Sequence, residues 1–518
     1  MKYAVTSDEM KICDRNTSEH FGIDSAILME RAALKICDRI DEWKNSKKVN
    51  RAMNCLVICG VGNNGGDGAC AARLLVQRGY RVNVCVLGDY TRCSDLLLKQ
   101  LKILEKYKVL TDTFSNIRDN KNRIQWDIII DAMFGIGLSR PVSGDFKEAV
   151  SFINQQKAAR KDDLYVVSVD MPSGVNADNG QICQAAVKAD ATVTFNQVKI
   201  GQLLYPGCEQ TGRLFVEDAG ITGESFLGKE PEAFFYDDDI KRLMPKRKLD
   251  SNKGSNGKVL IIAGSKEISG ACILCASAAL RSGAGMIRIF TSGANAQAVK
   301  TLLPEAILDI YEEDENFSSK LEKAFEWSTQ AVIGPGIGTG AISKKLVRTA
   351  LKSYDKSLVM DADALNIIAE DKKLMTMASN YATGEKRLIL TPHLAEFARL
   401  YGSDVKECKQ NIIEYPRLLA KKLHCTVVCK DARTIIADGY EDKVYINVSG
   451  NDGMATAGSG DVLSGIMAAF VRDKQSSFEA ACFSCYLHGL CGDAAAKRLG
   501  RHFMAASDIT NELAGILD

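Results

Sequence analysis

The stretch "ICGVGNNGGDGACAARLL", residues 58–75, decides how the N-terminal half folds. An apolar run ends in glycines, and a helix of small residues begins, which is the strand–turn–helix step of a parallel α/β sheet. Gly60, Gly62 and Gly65 carry the G-x-G-x-x-G spacing of a dinucleotide turn. Yet the glycine run continues through Gly66 and Gly68 and encloses Asn63, Asn64 and Asp67. A carboxylate near a helix start opposes a bound pyrophosphate, and no Lys-Ser/Thr pair marks a Walker loop. Asp67 is read either as a helix cap or as a residue of a site. An ordinary Rossmann turn, with Asp89 as the ribose acid, is the alternative.

On either side the pattern alternates. "NCLVIC", "YRVNVCVL", "WDIIIDA" and "LYVVSVD" read as buried strands, with helices at 67–78 and 143–157 between them. Two helices, 7–20 and 24–43, precede the sheet, and Thr6 or Ser7 is the first N-cap. Residues 222–254 lose periodicity and read as a linker. A second alternating set follows: "KVLIIAGS", "GMIRIF", "QAVIG", "SLVMDAD", "RLILTPH", "CTVVCK" and "TIIADG", then a helical tail from about 459. The expected class is α/β in two domains, residues 1–221 and 222–518.

Two further strands end in carboxylates. "IIIDAMFGIGLSRPVSG" places Asp131, and "VVSVDMPSGVNADNG" places Asp170, before glycine-rich loops. Loops after strand C-termini meet in one crevice of an open sheet, so Asp67, Asp131 and Asp170 read as one site. "GVGNNGGDG", "DAMFGIGLSRPVSG" and "DMPSGVNADNG" together resemble the YjeF N-terminal family, the NAD(P)H-hydrate epimerases, over about residues 1–220. The resemblance implies a Rossmann-like three-layer α/β/α sandwich. It also implies that Asn63, Asn64, Gly65, Gly66, Asp67, the loop Gly135, Ile136, Gly137, Leu138, Ser139, Arg140 and Pro141, and Asp170 hold the hydrated cofactor. Asn64, Asp131 and Ser173 match the family's potassium ligands, an all-oxygen set suited to a hard cation. Asp170 is the first candidate for a carboxyl alternating between acid and base, and Asp67 the second.

In the second half, "GNDGMATAGSGDVLSGIMAAF" (450–470) sets a glycine-rich segment before an apolar helix, with Asp461 beside N–H groups able to cradle an anion. This pairing resembles the ribokinase-like superfamily, in which the matching Asp acts as base. "NKGSNGKVLIIAGS", "VIGPGIG", "MDADALN", "TPHLAEF" and "CKDARTII" narrow the resemblance to the YjeF C-terminal family, ADP- or ATP-dependent NAD(P)H-hydrate dehydratases, over about 225–518. It implies hydrate contacts from Ala271, Gly336, Gly338, His393 and Asp461. It implies nucleotide contacts from Lys430, Asp431, Ala432, Arg433, Thr434 and Gly460. Magnesium is expected with the nucleotide, and Asp361, Asp363 and Glu396 are the carboxylates considered for it. The residues do not separate ADP from ATP; the resemblance favours ADP and implies a homo-oligomer.

Length and composition fit a soluble globular protein of two domains, or three. The chain has 518 residues, 25% charged and 46% apolar, with net charge +1, which favours neither nucleic acid nor an anionic membrane. No signal peptide or membrane-length run is visible, and 17 scattered cysteines read as reduced thiols of a cytoplasmic protein. Cys482, Cys485 and Cys491 do not complete a zinc spacing. The competing functions are a small-molecule kinase with an accessory N-terminal domain, and an N-terminal scaffold whose carboxylates are structural.

Overall fold

The computed structural model describes residues 1–119, 124–237, 242–244, 249–312, 316–382, 387–471 and 476–517. The chain forms two compact units, Tyr3–Ala233 and Phe234–Asp518, the latter joined by Met1–Lys2. Residues 222–226, beyond the expected boundary at 221, are tied into the first unit. Asn16 Nδ2 donates to the Ser225 carbonyl at 2.8 Å, and the Thr17 and Ser225 hydroxyls share a hydrogen bond of 2.8 Å. Of the expected linker, residues 238–241 and 245–248 lie outside the described residues.

The first unit runs β1 (Lys2–Val5), α1 (Ser7–Glu19), α2 (Ser25–Ser46), β2 (Asn54–Cys59), α3 (Asn63–Gln77), β3 (Arg81–Val86), α4 (Asp95–Lys106), β4 (Leu110–Thr111), α5 (Phe114–Arg118), β5 (Ile128–Ala132), α6 (Gly144–Arg160), β6 (Tyr165–Val169), β7 (Ala191–Phe195), β8 (Val198–Lys199), α7 (Ile200–Leu203), α8 (Gly207–Thr211) and β9 (Arg213–Glu217). Seven strands pair in the order β4-β3-β2-β5-β6-β7-β9, all parallel. Strand residues alternate between two cores. Cys55, Val57 and Cys59 join Ile36, Leu75 and Leu97 of α2, α3 and α4, while Leu56 and Ile58 join Ala149, Val150 and Ile153 of α6. Helices therefore cover both faces, and the strands read as unbroken apolar runs because neither face meets water. Thr6 caps α1 with a full capping box, its side chain accepting from Glu9 N.

The second unit carries β10 (Ala233–Phe235), β11 (Lys258–Ile262), α9 (Gly270–Arg281), β12 (Met286–Ser292), α10 (Ala296–Leu302), β13 (Ile307–Tyr311), α11 (Ser318–Trp327), β14 (Gln330–Ile333), α12 (Ala341–Ser353), β15 (Ser357–Met360), α13 (Asp363–Glu370), α14 (Lys372–Tyr381), β16 (Leu388–Leu390), α15 (Leu394–Tyr401), α16 (Val405–Gln410), α17 (Glu414–Leu423), β17 (Thr426–Cys429), β18 (Ile435–Ala437), β19 (Val444–Ile446), α18 (Ser459–Phe470), α19 (Ser477–Leu499), α20 (Ala506–Asn511) and α21 (Leu513–Leu517). Its strands follow the order β13-β12-β11-β14-β15-β16-β17-β18-β19. Pairing is parallel through β17 and antiparallel at β18 and β19. The α/β class expected from the alternating pattern holds in both units. No described helix is long and apolar enough to cross a membrane.

Candidate functional sites

The strand order reverses between β2 and β5 in one sheet and between β11 and β14 in the other. Crevices for ligands open at the C-terminal ends of such strands. At the first reversal the chain turns so tightly that a Cβ on Gly65 would stand 1.9 Å from the Gly60 carbonyl oxygen, so only glycine fits. Helix α3 then begins at Asn63, four residues before the expected start, with Gly62 as N-cap and no side-chain cap bond. The capping role considered for Asp67 is therefore corrected: its side chain leaves the helix one turn in. Asp89, the acid of the Rossmann alternative, instead accepts from Thr91 N at 2.9 Å and stays exposed.

Asp131 is wholly buried at the end of β5. One carboxylate oxygen accepts from Ser168 Oγ and Ser173 N, both at 2.8 Å, and the other from Ser173 Oγ at 2.5 Å. Burial lifts its pKa above the ordinary range, against the pull of these hydrogen bonds. Ser173 Oγ also accepts from Phe134 N at 2.9 Å. Asn64 lies against Gly135, where a Cβ would come within 3.2 Å of its Oδ1, and its Nδ2 is buried without a hydrogen-bond partner. Of the 135–141 loop, Leu138 is buried in the α6-side core and anchors the loop. Gly137, Ser139, Arg140 and Pro141 are exposed, and Ile136 packs on the small core of Met171, Val175 and Ala177.

Asp170 follows β6 with φ +62°, left-handed backbone that a non-glycine residue adopts at a cost of about 1 kcal/mol or more. Its Oδ1 accepts from Lys199 Nζ at 2.5 Å and Thr194 Oγ1 at 3.0 Å. Its carbonyl accepts from Gln202 Nε2 at 2.6 Å. Burial, then the charges of Asp170 and Asp14, hold the Asp67 carboxyl well above the usual carboxylate range. Asp14, on α1, is exposed as a residue, yet its carboxyl is crowded enough that burial, then Asp170, raises its pKa too. Asp14 and Asp67 thus both feel the Asp170 charge, and Lys199 is the cation paired with Asp170.

At the second reversal, the loop after β14 passes so close to β15 that a Cβ on Gly334 would stand 1.8 Å from the Asp361 carbonyl oxygen. The same loop lies against Ala271, which a Cβ on Gly336 would approach to 2.9 Å, and Gly338 N donates to Asp363 Oδ2 at 2.8 Å. Asp361 is buried. Its Oδ1 accepts from Lys430 Nζ at 2.8 Å and its Oδ2 from Ser464 Oγ at 2.6 Å. A Cβ on Gly460 would stand 3.3 Å from that Nζ, so the start of α18 and the end of β17 meet here. Burial, then the Asp361 charge, pushes Asp461 up to about 6, while Lys430 pulls the other way. Burial alone would lower the Lys430 pKa; Asp361, with Glu396 and Asp461, offsets this, and the net shift is upward.

His393 is the N-cap of α15. Its Nδ1 accepts from Ala395 N at 3.1 Å, which leaves Nε2 to carry the proton, and its side chain stays half exposed. Lys430 N donates to the Pro392 carbonyl at 2.8 Å, which joins the His393 segment to β17. After Lys430 the turn exposes Asp431 and Ala432, and Arg433 donates to the Val448 carbonyl at 2.8 Å. Thr434 O accepts from Asn447 N at 2.9 Å. Behind the glycine-rich start of α18, Ser459 Oγ lies 3.4 Å from His488 Nε2 on α19.

Two family models match the chain: the YjeF-related protein N-terminus over residues 25–201, and the NAD(P)H-hydrate dehydratase over 259–514. A bifunctional NAD(P)H-hydrate repair enzyme of Thermofilum pendens is 34% identical, over 99% of this chain and 95% of its own. The chain belongs to the bifunctional NAD(P)H-hydrate repair enzyme family. The enzyme of that name from Moorella thermoacetica is also 34% identical, over 99% of this chain and 96% of its own. Among solved structures, a ribokinase-like superfamily protein of Enterococcus faecalis is 27% identical, with a TM-score of 0.49, over 55% of this chain and 95% of that one.

For a repair enzyme the two clusters divide by unit. The first gathers Asn64, Asp67, Asp131, Asp170 and Ser173, and the second gathers Ala271, Gly336, Asp361, Lys430, Gly460 and Asp461. Sequence reasoning missed Asp14, Thr194, Lys199 and Gln202 in the first, and Ser464 and His488 in the second. The one lysine of the otherwise largely apolar run "ATVTFNQVKIGQLL" is the signal that points to Lys199, with Gln202 three residues on. A long polar side chain is rarely taken into a core without a partner waiting for it.

Proposed function

We propose that the first unit exchanges the R and S epimers of NADH and NADPH hydrated at C6. The second then dehydrates the S form at the expense of ADP, releasing AMP and phosphate. The observation that carries the reading is the pairing of acidic groups with glycine-lined backbone at both sheet reversals. In the first site the nicotinamide nitrogen expels the C6 hydroxyl once its oxygen is protonated, and the iminium takes water back on either face. Asp170 and Asp67 supply and remove that proton. Asp131, Ser173 and Asn64 bring only oxygen donors together, which fits potassium, whose charge would orient the cofactor beside the loop.

In the second site Asp461 takes the proton of the C6 hydroxyl as that oxygen accepts a phosphoryl group. The N–H groups at the start of α18 stabilise the transferring group. Loss of phosphate and of a C5 proton restores the double bond. Lys430 through Thr434 and Gly460 lie on the nucleotide side, and Ala271, Gly336, Gly338 and His393 on the hydrate side. Magnesium would arrive on the nucleotide's phosphates. Asp361, Asp363 and Glu396 are the carboxylates nearest that side of the site, and none is singled out as its ligand.

The test supplies mixed-epimer NADH hydrate with ADP or ATP and follows both recovery of reduced-nicotinamide absorbance and the ratio of the remaining epimers. Complete recovery is expected in the native protein. Recovery of about half in Asp170→Asn, with the S form consumed and the R form left to its slow spontaneous exchange, assigns the two steps to the two units. A stable phosphorylated product would instead favour the small-molecule kinase.

A further inference from the structure

Lys199 has no part in the proton transfers described above, yet it is among the largest side chains wholly buried in the molecule, at 1% exposure. Its ammonium has three partners: Asp170 Oδ1 at 2.5 Å, Thr194 Oγ1 at 2.8 Å and the Phe195 carbonyl at 3.3 Å. Thr194 Oγ1 donates to the same Asp170 oxygen, closing a three-membered network. The backbone is built around this contact. Lys199 N donates to Gln202 Oε1 at 2.9 Å, and the other end of that amide, Nε2, donates to the Asp170 carbonyl. Asp170 N donates to the Val193 carbonyl at 2.8 Å. Both ends of a residue in strained left-handed backbone are thus held by the segment from β7 to α7.

Burying an ammonium costs several kcal/mol unless it is paired, and an apolar residue of similar volume commonly serves stability as well. Fold stability alone is therefore a weak reason for a lysine here. The geometry points to Lys199 as the positioning residue that holds the Asp170 carboxyl group in place for proton transfer in epimer exchange, with Asp67 as the second carboxyl group of the step. This rests on the epimerase reading of the first unit. The groups facing Asp170 are Asp14 from α1, Asp67 from α3, Thr194 from β7, Lys199 from β8 and Gln202 from α7. Among them Lys199 is the cation, and an adjacent cation favours a carboxylate over a carboxylic acid. Asp67 is raised by burial and by two neighbouring carboxylates.

The step balances. In one direction the Asp67 carboxyl proton passes to the C6 hydroxyl oxygen, and the C6–O bond breaks with its electron pair leaving on water. The ring-nitrogen lone pair forms the N1–C6 double bond. Water then adds to the opposite face of C6, and its proton passes to the Asp170 carboxylate. One proton has moved from Asp67 to Asp170; a turnover in the reverse direction, or exchange with solvent, resets the pair.

Lys199→Met in the full chain tests this. Epimer exchange should lose about 100-fold in kcat with little change in KM, because the ammonium acts through Asp170 and not on the substrate. The acid limb of its pH–rate profile should move to higher pH, while dehydration of the pure S epimer stays at the wild-type rate. Exchange within about twofold of wild type, with an unshifted acid limb, overturns the inference. Should Lys199→Met leave the first unit unfolded, Thr194→Val decides. It removes the hydroxyl shared by Lys199 and Asp170, and a folded variant with normal kcat and pH profile would overturn the inference equally. Absence of exchange in the wild-type protein would instead refute the epimerase reading itself.

Discussion

Lys430 Nζ and Asp361 Oδ1 meet across 2.8 Å at the C-terminal ends of β17 and β15, and this buried ion pair stands beside Asp461. Each partner acts on Asp461 with opposite sign. Burial and Asp361 raise its proton affinity to a pKa of about 6, and Lys430 limits the rise. A base must be ionised to work, so dehydratase kcat/KM should fall as pH drops through about 6. Lys430→Met should move this limb to higher pH and Asp361→Asn to lower pH. The second variant also strands a buried ammonium and should cost about 3 kcal/mol or more of stability. A pH series of initial rates with S-hydrate, paired with urea unfolding, reads both effects. A limb that stays fixed in Lys430→Met would remove the electrostatic link.

Asp461→Asn should abolish dehydration, by about 100-fold or more, and leave nucleotide binding near its wild-type affinity, because the carboxylate is assigned to the hydrate and not to the nucleotide. Calorimetric titration with ADP and the absorbance assay separate the two. Near-normal turnover in a folded Asp461→Asn would refute the base assignment.

Gly65→Ala should cripple the first unit alone. The added Cβ meets the Gly60 carbonyl oxygen at 1.9 Å, and that oxygen belongs to backbone that cannot turn aside. Overpacking of this kind costs about 1–3 kcal/mol, and here it also displaces Asn63, Asn64 and Asp67 at the mouth of α3. Thermal unfolding should show an early transition. Dehydration of the pure S epimer should continue, since none of the second site's residues lies in that unit.

The sheets were legible because β2, β5, β6, β11, β14 and β15 are buried on both faces and read as apolar runs. Strands absent from that reading include Val444–Ile446, buried but only three residues long, and Arg213–Glu217, which mixes charges with a half-exposed face. Within the sites, residues at strand ends beside glycines were visible, since turn chemistry concentrates there. Lys199 was not, because its partner Asp170 lies 29 positions earlier and only the pairing of β7 beside β6 brings the two together. Asp67 was read at a helix start, but α3 already begins at Asn63, where the Gly60 turn packs against Gly65 despite the low helix propensity of Gly65 and Gly66.

Potassium dependence of epimer exchange should follow the oxygen cluster around Asp131. Ser173→Ala removes a proposed ligand, and Ser168→Ala removes the hydroxyl that holds Asp131 Oδ2 at 2.8 Å. An outer partner of this kind is worth about 10- to 100-fold in metal affinity. Half-saturating potassium should therefore rise at least tenfold in either variant, with exchange recovering at high potassium. Exchange indifferent to potassium in the wild-type protein would leave Asn64, Asp131 and Ser173 as structural polar groups.

His488 offers a test of the second unit's packing that is independent of catalysis. It lies on α19 with its ring almost wholly buried, and burial, then Lys430, pushes its pKa down to about 4. The folded protein therefore keeps the imidazole neutral where an unfolded chain, near 6.5, already binds a proton. Between about pH 6.5 and pH 4 the unfolded state holds more protons, so this residue's linkage lowers stability as pH falls and levels off below about 4. The full effect is about 3 kcal/mol. Buried acids such as Asp461 act with the opposite sign, so the total pH dependence cannot isolate it. The difference between wild type and His488→Gln can. That difference should be constant above pH 7 and shift in favour of the variant by up to about 3 kcal/mol on acidification to pH 4. Urea unfolding at each pH measures it, and a difference independent of pH would mean that the imidazole is reached by water in the folded protein.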